Sequence, residues 1–144
     1  MLQPELTSEP SCAVAESRIA VVIPALNEEQ AIVRVLQAIP KSLAPLVVVV
    51  DNGSTDHTAR RARSQGAMVV REPRRGYGTA CLAGIDALPE EIEIVVFLDA
   101  DYSDHPEEME LLVASASSSF SSFSARNFSL KRSASCGSVL PVDW

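Results

Sequence analysis

Four short apolar segments occur along the first two thirds of the chain, separated by longer segments of mixed polarity. The segments are residues 19–23, 46–50, 67–70 and 93–98, of which the last starts at Glu93 and is apolar from Ile94 onward. A continuous apolar run of this length is typical of a strand buried on both faces of a parallel sheet. Strict alternation of such strands with helices predicts parallel βαβ units, and therefore an α/β fold.

The segments between the strands carry helix signals. Residues 28–39 place Ile32, Val35, Leu36 and Ile39 at helical spacing on one side. Ser54 or Thr55 is interpreted as the cap of a second helix, with Asp56 in its first turn and Gly66 just beyond its end. Further helices are expected over 79–88 and from Pro106 onward.

Two of the predicted strands end at carboxylates. Asp51 follows Val47–Val50, and Asp99 and Asp101 follow Val95–Leu98. Ligands of open α/β sheets bind beyond the carboxyl ends of the strands. Two carboxylates separated by one small residue suit a divalent cation that keeps positions free for substrate phosphates. The alternative, an acidic surface turn, is weaker because two adjacent carboxylates repel each other unless a cation is present.

Charge and cysteine content narrow the function further. The net charge of -7 disfavours a general nucleic-acid binder. Three widely spaced cysteines, with no C-x-x-C pair, disfavour a zinc site or disulfide framework and fit a reducing compartment. We see no secretory signal and no apolar run of the roughly 20 residues that a membrane span needs. A cytoplasmic protein, peripheral to a membrane at most, is expected.

The chain divides into three regions by composition. Residues 1–17 are a polar leader, residues 18–113 carry the strand and helix pattern, and residues 114–144 form a serine-rich tail. Between residues 115 and 138, 11 of 24 residues are serine, and no helical or strand period persists. We expect a disordered tail, either natural or, as we favour, the product of a frameshift that truncates the sheet. Such a chain is expected to be poorly active and marginally stable.

The motifs at the strand ends resemble the N-terminal half of a family 2 glycosyltransferase with the GT-A fold. The similar segments are Val22–Glu28, Asp51–Asp56 and Asp99–Asp101, in the family's order. Residues 75–80 and 101–106 resemble more closely the branch that transfers sugars to dolichol or polyprenyl phosphate. The resemblance covers about residues 18–113. It implies transfer of a sugar, with inversion, from a UDP- or GDP-sugar to a lipid phosphate, at the membrane surface, or to a hydroxyl group.

The resemblance also implies roles for individual residues. The loop after the first strand would wrap the base and ribose of the nucleotide, and Asp51 or Asn52 would bind the edge of the base. Asp101 would bind Mg2+ or Mn2+, Asp99 would contact the ribose or sugar or support the metal, and Ser103 would add a polar ligand. The predicted nucleotide-sugar contacts are Pro24, Ala25, Leu26, Glu28, Asp51, Asn52, Gly53, Arg75, Gly76, Asp99, Ala100 and Asp101. Glu28 has a plainer interpretation as a residue that only starts a helix, and Arg75, with Arg71 and Arg74, could equally form a solvated loop instead of contacting the diphosphate.

No catalytic base is predicted, because nothing after Leu112 matches the half of the family that supplies it.

Two other functions stay open. A phosphatase of the haloacid dehalogenase type also places an Asp-x-Asp after an apolar strand, but there the strand comes first in the domain. A non-catalytic nucleotide-binding remnant would share every donor-site residue. A Rossmann dehydrogenase is disfavoured, because the first strand ends in Pro24–Asn27 and not in a glycine-rich turn.

Overall fold

The computed structural model describes residues 18–43, 45–120 and 139–141. Within these residues, five strands form one sheet: β1 (Ile19–Ala25), β2 (Leu46–Asp51), β3 (Met68–Arg71), β4 (Ile94–Phe97) and β5 (Val139–Pro141). The helices between and after them are α1 (Ile32–Ala38), α2 (Thr58–Ser64), α3 (Tyr77–Asp86) and α4 (Met109–Phe120). Short 3-10 turns occur at Lys41–Leu43 and Pro106–Glu108.

The strand order is β3-β2-β1-β4-β5, and the first four strands are parallel. β5 runs antiparallel to β4, with Leu140 opposite Val95. The expected mostly parallel α/β sheet with flanking helices is therefore confirmed. The order places β1 at the centre, so the chain reverses its direction of travel across the sheet between β3 and β4.

The two faces of the sheet bury separate hydrophobic layers. Alternate residues of β1 illustrate the division, with Val21 and Ile23 in one layer and Ala20 and Val22 in the other. The first layer is covered by α1, α2 and α4, and the second by α3. Because both faces are covered, the strands read as apolar runs and not as an alternating pattern.

Two predicted helix starts are corrected by the structure. The helix expected from Glu28 begins at Ile32, because residues 28–31 form a turn in which the Ala31 N–H donates to the Glu28 carbonyl at 3.2 Å. Neither Ser54 nor Thr55 caps α2, which begins at Thr58 after His57 and has no side-chain cap from that residue. Gly66 does adopt the left-handed conformation (φ 85°) expected of the residue after a helix.

The tail, which was expected to be disordered from residue 114, contains the second half of α4 and the strand β5. α4 continues to Phe120, since Val113 is buried in the first layer and the Ser115 hydroxyl donates to the Leu111 carbonyl at 2.8 Å. Such a bond to the preceding turn lets serine occupy a helix. The leader 1–17 and residues 121–138 and 142–144 lie outside the described residues, so the predicted boundary at residue 113 stays a prediction.

Candidate functional site

The predicted motifs meet at the carboxyl edge of the parallel sheet. Asp51 at the end of β2 lies beside Ala25 at the end of β1. On the other side of β1, the Leu98 N–H donates to the Val22 carbonyl, which carries the chain after β4 along the central strand toward Asp99. Neighbouring strands are about 4.8 Å apart, so Asp51 and Asp99 flank the end of β1 at about two strand spacings. The structure therefore brings together the three segments that the sequence singled out.

The loop after β1 is joined to the loop after β2 by side chains. Asn27, with a left-handed backbone (φ 57°), donates its N–H to the Ser54 hydroxyl and accepts the Thr55 N–H at 2.8 Å. The Glu28 N–H donates to the Thr58 hydroxyl at 2.8 Å. Ser54 and Thr55, interpreted from sequence as helix caps, instead fix the position of the loop after β1.

Asp56 and Glu29 complete this junction. The Glu29 N–H donates to Asp56 Oδ2 at 3.1 Å, and the His57 N–H donates to Glu29 Oε2 at 3.0 Å. Asp56 Oδ1 accepts both the N–H and the hydroxyl of Thr58. Hydrogen bonds from Thr58 lower the pKa of Asp56 despite a contribution from burial that acts to raise it. Asp56 is therefore an ionised anchor for two loops.

Asp51 and Asn52 lie side by side at the end of β2, but their side chains bond different segments of the backbone. Asp51 is buried and accepts the Ser54 N–H on Oδ1 at 2.9 Å, while Gly53 turns the chain with φ 88°. The Asn52 amide donates to the carbonyls of Glu72 and Arg74 at 2.9 and 2.7 Å and accepts the Gly76 N–H at 2.9 Å. Both donors of Asn52 are thus engaged with the backbone. Of the two residues expected to bind the base edge, Asp51 is the one whose side chain keeps an oxygen, Oδ2, without a hydrogen bond to any described residue.

The segment that Asn52 holds carries the arginines. The buried Glu72 carboxylate accepts hydrogen bonds from the Arg74 N–H, Nε and Nη2 at 2.7, 3.0 and 2.9 Å, and these bonds lower the pKa of Glu72. Arg74 is therefore tied to its own loop. Arg75 is exposed, and its Nε lies 4.0 Å from the position that a Cβ on Gly53 would occupy. Arg75 is thus the arginine placed beside the turn after β2.

The aspartates after β4 form a compact acidic group. Asp99 accepts a long hydrogen bond from the Tyr77 hydroxyl at 3.4 Å, and its N–H donates to Asp104 Oδ2 at 2.8 Å. Asp101 is exposed and accepts the Ser103 N–H at 2.8 Å. Asp104 and Tyr77 had no predicted role, although both lie inside the segments that carry the family resemblance.

Burial and neighbouring carboxylates raise the pKa of two of the acidic side chains at this edge. Burial, followed by the charges of Asp104 and Asp101, raises the pKa of Asp99. Burial, followed by the charges of Asp101 and Asp56, raises the pKa of Glu28. Hydrogen bonds from Ser103 lower the pKa of Asp101. Because Glu28 and Asp101 are close enough to affect each other, the loops after β1 and β4 face the same space.

These residues fit a metal that is completed by its substrate. Within the described part of the chain, no group of three or more histidine, cysteine, aspartate or glutamate side chains has the arrangement of a complete metal site. Mg2+ and similar cations, however, are commonly held by one or two carboxylates together with substrate phosphates. Asp101 is exposed with one oxygen on Ser103, and Asp99 carries unfavourable charge that a cation would relieve. The Ser103 N–H donates to Asp101, and Ser103 also acts to lower the pKa of Asp99.

Several predicted contact residues lie at the edge but present little side chain. Ala25 and Ala100 are buried, so they can contribute only through their backbone. Leu26 is exposed, which places an apolar side chain at the opening. Gly76 has φ 141° and precedes α3, so it supports the arginine loop.

A cleft of about 510 Å³ opens at the opposite, amino-terminal edge of β2 and β3. Apolar residues from the end of α1 and the start of β2 dominate its walls, and among the described lining residues Lys41 alone is charged. Because this described lining contains no carboxylate, the cleft is a poor place for a cation. The acidic edge is therefore the candidate functional site.

A family model, a relative in sequence and a solved structure all relate this chain to glycosyltransferases or to glucosyl-3-phosphoglycerate synthase. The family model described as Glycosyl transferase family 2 matches residues 20–128. An uncharacterised glycosyltransferase of Mycobacterium tuberculosis is 46% identical over 101 residues, which are 70% of this chain and 44% of that protein. The crystal structure of M. tuberculosis glucosyl-3-phosphoglycerate synthase with Mn2+ and UDP-glucose superposes with a TM-score of 0.61 at 37% identity, over 71% of this chain and 40% of that one.

The same synthase has been solved with Mn2+, UDP and glucosyl-3-phosphoglycerate, and that structure is 35% identical with a TM-score of 0.61. It covers 71% of this chain and 40% of the synthase. The chain thus spans less than half the length of the relatives it matches.

None of the helices in the described ranges has the length and apolar character needed to cross a membrane.

Proposed function

The chain belongs to glycosyl transferase family 2, and we propose that it binds a nucleotide-diphosphate sugar, with a divalent cation, at the carboxyl edge of β1, β2 and β4. The observation that carries the proposal is the meeting of Asp51, Glu28 and Asp101 around the end of the central strand. Family membership replaces the haloacid dehalogenase interpretation of the Asp-x-Asp.

The nucleoside would lie between the loops after β1 and β2. Asp51 is buried and has one carboxylate oxygen without a bond to the backbone of its own turn, which suits the N–H groups of a base. Glu28 can accept a ribose hydroxyl, and the exposed Leu26 offers an apolar surface to the base. UDP is our preferred nucleotide, because the solved relative named above was crystallised with UDP-glucose.

The diphosphate would lie toward Asp99 and Asp101. A Mg2+ or Mn2+ ion bound there would act as a Lewis acid and neutralise charge on the departing diphosphate. Asp101 would hold the cation, Asp99 would support it, and Ser103, whose N–H donates to Asp101, would orient that carboxylate. Arg75, which is exposed beside Gly53, would add positive charge from the other side.

The reaction would transfer the sugar to an oxygen acceptor. The bond between the anomeric carbon and the diphosphate oxygen would break, the acceptor oxygen would bond to the same carbon with inversion, and the nucleoside diphosphate would leave. A hydroxyl acceptor would also give up its proton to a general base. A lipid phosphate as acceptor is supported by the motif resemblance at residues 75–80 and 101–106 alone. A hydroxyl acceptor that itself carries phosphate is supported by the relative crystallised with glucosyl-3-phosphoglycerate.

Calorimetry of UDP binding, with Mn2+ and with chelator, tests the proposal. We expect binding that depends on Mn2+, and we expect Asp101→Asn to remove the metal-dependent part. Glu90→Gln is the matched control, since it replaces an exposed carboxylate just before β4, at the opposite edge of the sheet. Binding that ignores the chelator, or that Asp101→Asn leaves intact, would refute the proposal.

A further inference from the structure

Tyr102, between Asp101 and Ser103, has a backbone conformation that its residue type disfavours. Its φ is 69°, in the left-handed region where a bulky L-residue is an outlier. Such conformations persist only where surrounding contacts impose them, and they cluster at ligand sites. Something in the structure must therefore hold Tyr102 in place.

One contact on its ring comes from α1. The guanidinium carbon of Arg34 lies 4.6 Å from the centroid of the Tyr102 ring, within the range of a cation–π interaction. The ring is half-buried and packs against the first hydrophobic layer. Within the described residues, Arg34 lies within 4.0 Å of no carboxylate oxygen. Its position is thus explained by the ring and not by an ion pair.

Helix α1 connects this contact to the loop after β1. The Ile32 N–H donates to the Glu28 carbonyl at 2.9 Å, and the Val35 N–H donates to the Ala31 carbonyl at 3.1 Å. Glu28 and Arg34 therefore belong to one hydrogen-bonded unit. A shift of Tyr102 relative to that unit would move Asp101 relative to Glu28.

We infer that Arg34 and Tyr102 are a pair of positioning residues, whose cation–π contact fixes the Asp99–Ser103 turn so that Asp101 is presented to the cation of a nucleotide-diphosphate sugar. The inference deepens the proposed function and depends on it for the identity of the ligand. The Ser103 N–H that bonds Asp101 follows Tyr102 directly, so the φ of Tyr102 sets the direction of that donor. No part of the reaction is assigned to Arg34 or Tyr102 themselves.

The first test measures Mn2+ affinity in the presence of UDP, by electron paramagnetic resonance of free Mn2+ with the full chain. We expect Arg34→Met and Tyr102→Leu each to weaken Mn2+ binding about two- to five-fold, the range typical of an exposed cation–π contact. The double variant should be no weaker than the weaker single variant, because both remove one interaction. Tyr102→Phe keeps the ring and should bind Mn2+ like the unmodified chain.

Arg63→Met is the matched control, since Arg63 is exposed on α2, and thermal melts of every variant check folding. Wild-type Mn2+ affinity in both single variants, or a double variant whose loss equals the product of the two, would overturn the inference.

A second readout separates failure of this inference from failure of the proposed function. In the absence of metal and UDP, the amide resonances of Asp101 and Ser103 should move with Arg34→Met and stay unchanged with Arg63→Met. If the unmodified chain binds neither Mn2+ nor UDP, the proposed function fails and these resonances alone decide the role of Arg34. Resonances that do not respond to Arg34→Met would overturn that role.

Discussion

At the scale of single residues, Asp99 is a candidate metal-binding carboxylate whose ionised form destabilises the folded chain. Burial and the charges of Asp104 and Asp101 raise its pKa above the ordinary 3.8. The folded chain therefore binds a proton at Asp99 more readily than the unfolded chain, and this contribution to stability is lost as the pH rises through the raised pKa. The negative charge of Asp99 destabilises the folded chain without a cation, and the same charge would attract a bound cation.

Asp99→Asn tests this balance. We expect the variant to have a melting temperature at pH 7 equal to or higher than that of the unmodified chain. The loss of stability between pH 3.8 and neutrality that Asp99 contributes should disappear. Melts across that pH range are the measurement. A variant that is less stable than the unmodified chain at pH 7 would contradict the assigned direction.

Asn52→Ala should be costly for a different reason. It removes a buried amide that holds three backbone groups of residues 72–76. Leaving buried backbone groups without partners typically costs about 1–3 kcal/mol. We expect a loss of that size in the free energy of unfolding by urea denaturation, together with weaker UDP binding. Gln65→Ala, which breaks an exposed amide pair with Gln37, is the control and should change stability by less than about 0.5 kcal/mol.

At the scale of elements, α3 packs directly on the central strand through Gly84. A Cβ at this position would lie 2.4 Å from Val22 Cγ1 and 3.1 Å from Val50 Cγ2. Gly84→Ala should therefore destabilise the chain by about 1–3 kcal/mol, as overpacking does. Gly78→Ala in the same helix meets nothing within 4 Å and should be neutral or stabilising by up to about 1 kcal/mol. Equal effects of the two substitutions in urea denaturation would show that this close approach does not limit stability.

Sequence patterns located the elements because each strand is buried on both faces and therefore reads as an apolar run. The junction of the loops after β1 and β2 was not predictable, because Ser54 and Thr55 suit a helix cap as well as a bond to Asn27, and only the parallel register of Ala25 with Asp51 decides between them. The contact of Arg34 with Tyr102 has no local signal, since 68 positions separate the two residues. Likewise, nothing in the serine-rich composition indicated that Val113 would carry α4 onto the core.

At the scale of the whole molecule, the carboxylates that follow β1, β2 and β4 meet at one edge of the sheet. The net charge is -7, yet six arginines fall between residues 60 and 75, around β3. One of these arginines, Arg75, lies beside the turn after β2, where the diphosphate of the proposed donor would meet it. The match to glycosyl transferase family 2 covers residues 20–128, so it includes the first strand, both acidic motifs and α4.

If the proposed function is right, donor binding should stabilise the entire fold, because the ligand would contact the loops after three strands. At a ligand concentration of 100 times its dissociation constant, the expected gain in the free energy of unfolding is about 2.7 kcal/mol. Melts with Mn2+ and UDP together should show this gain, and melts with Asp101→Asn should not. A gain of the same size with UDP and chelator would contradict a metal-dependent site.

A crystal structure of the chain soaked with UDP and Mn2+, with the metal located by its anomalous scattering, would test most directly whether the donor binds at this edge. We expect a manganese peak within coordination distance of a carboxylate oxygen of Asp101 and next to the diphosphate, with the base between Asp51 and the loop of Pro24–Glu28. A manganese ion away from Asp99 and Asp101, or a nucleotide at the opposite edge of the sheet in the cleft beside Lys41, would contradict it.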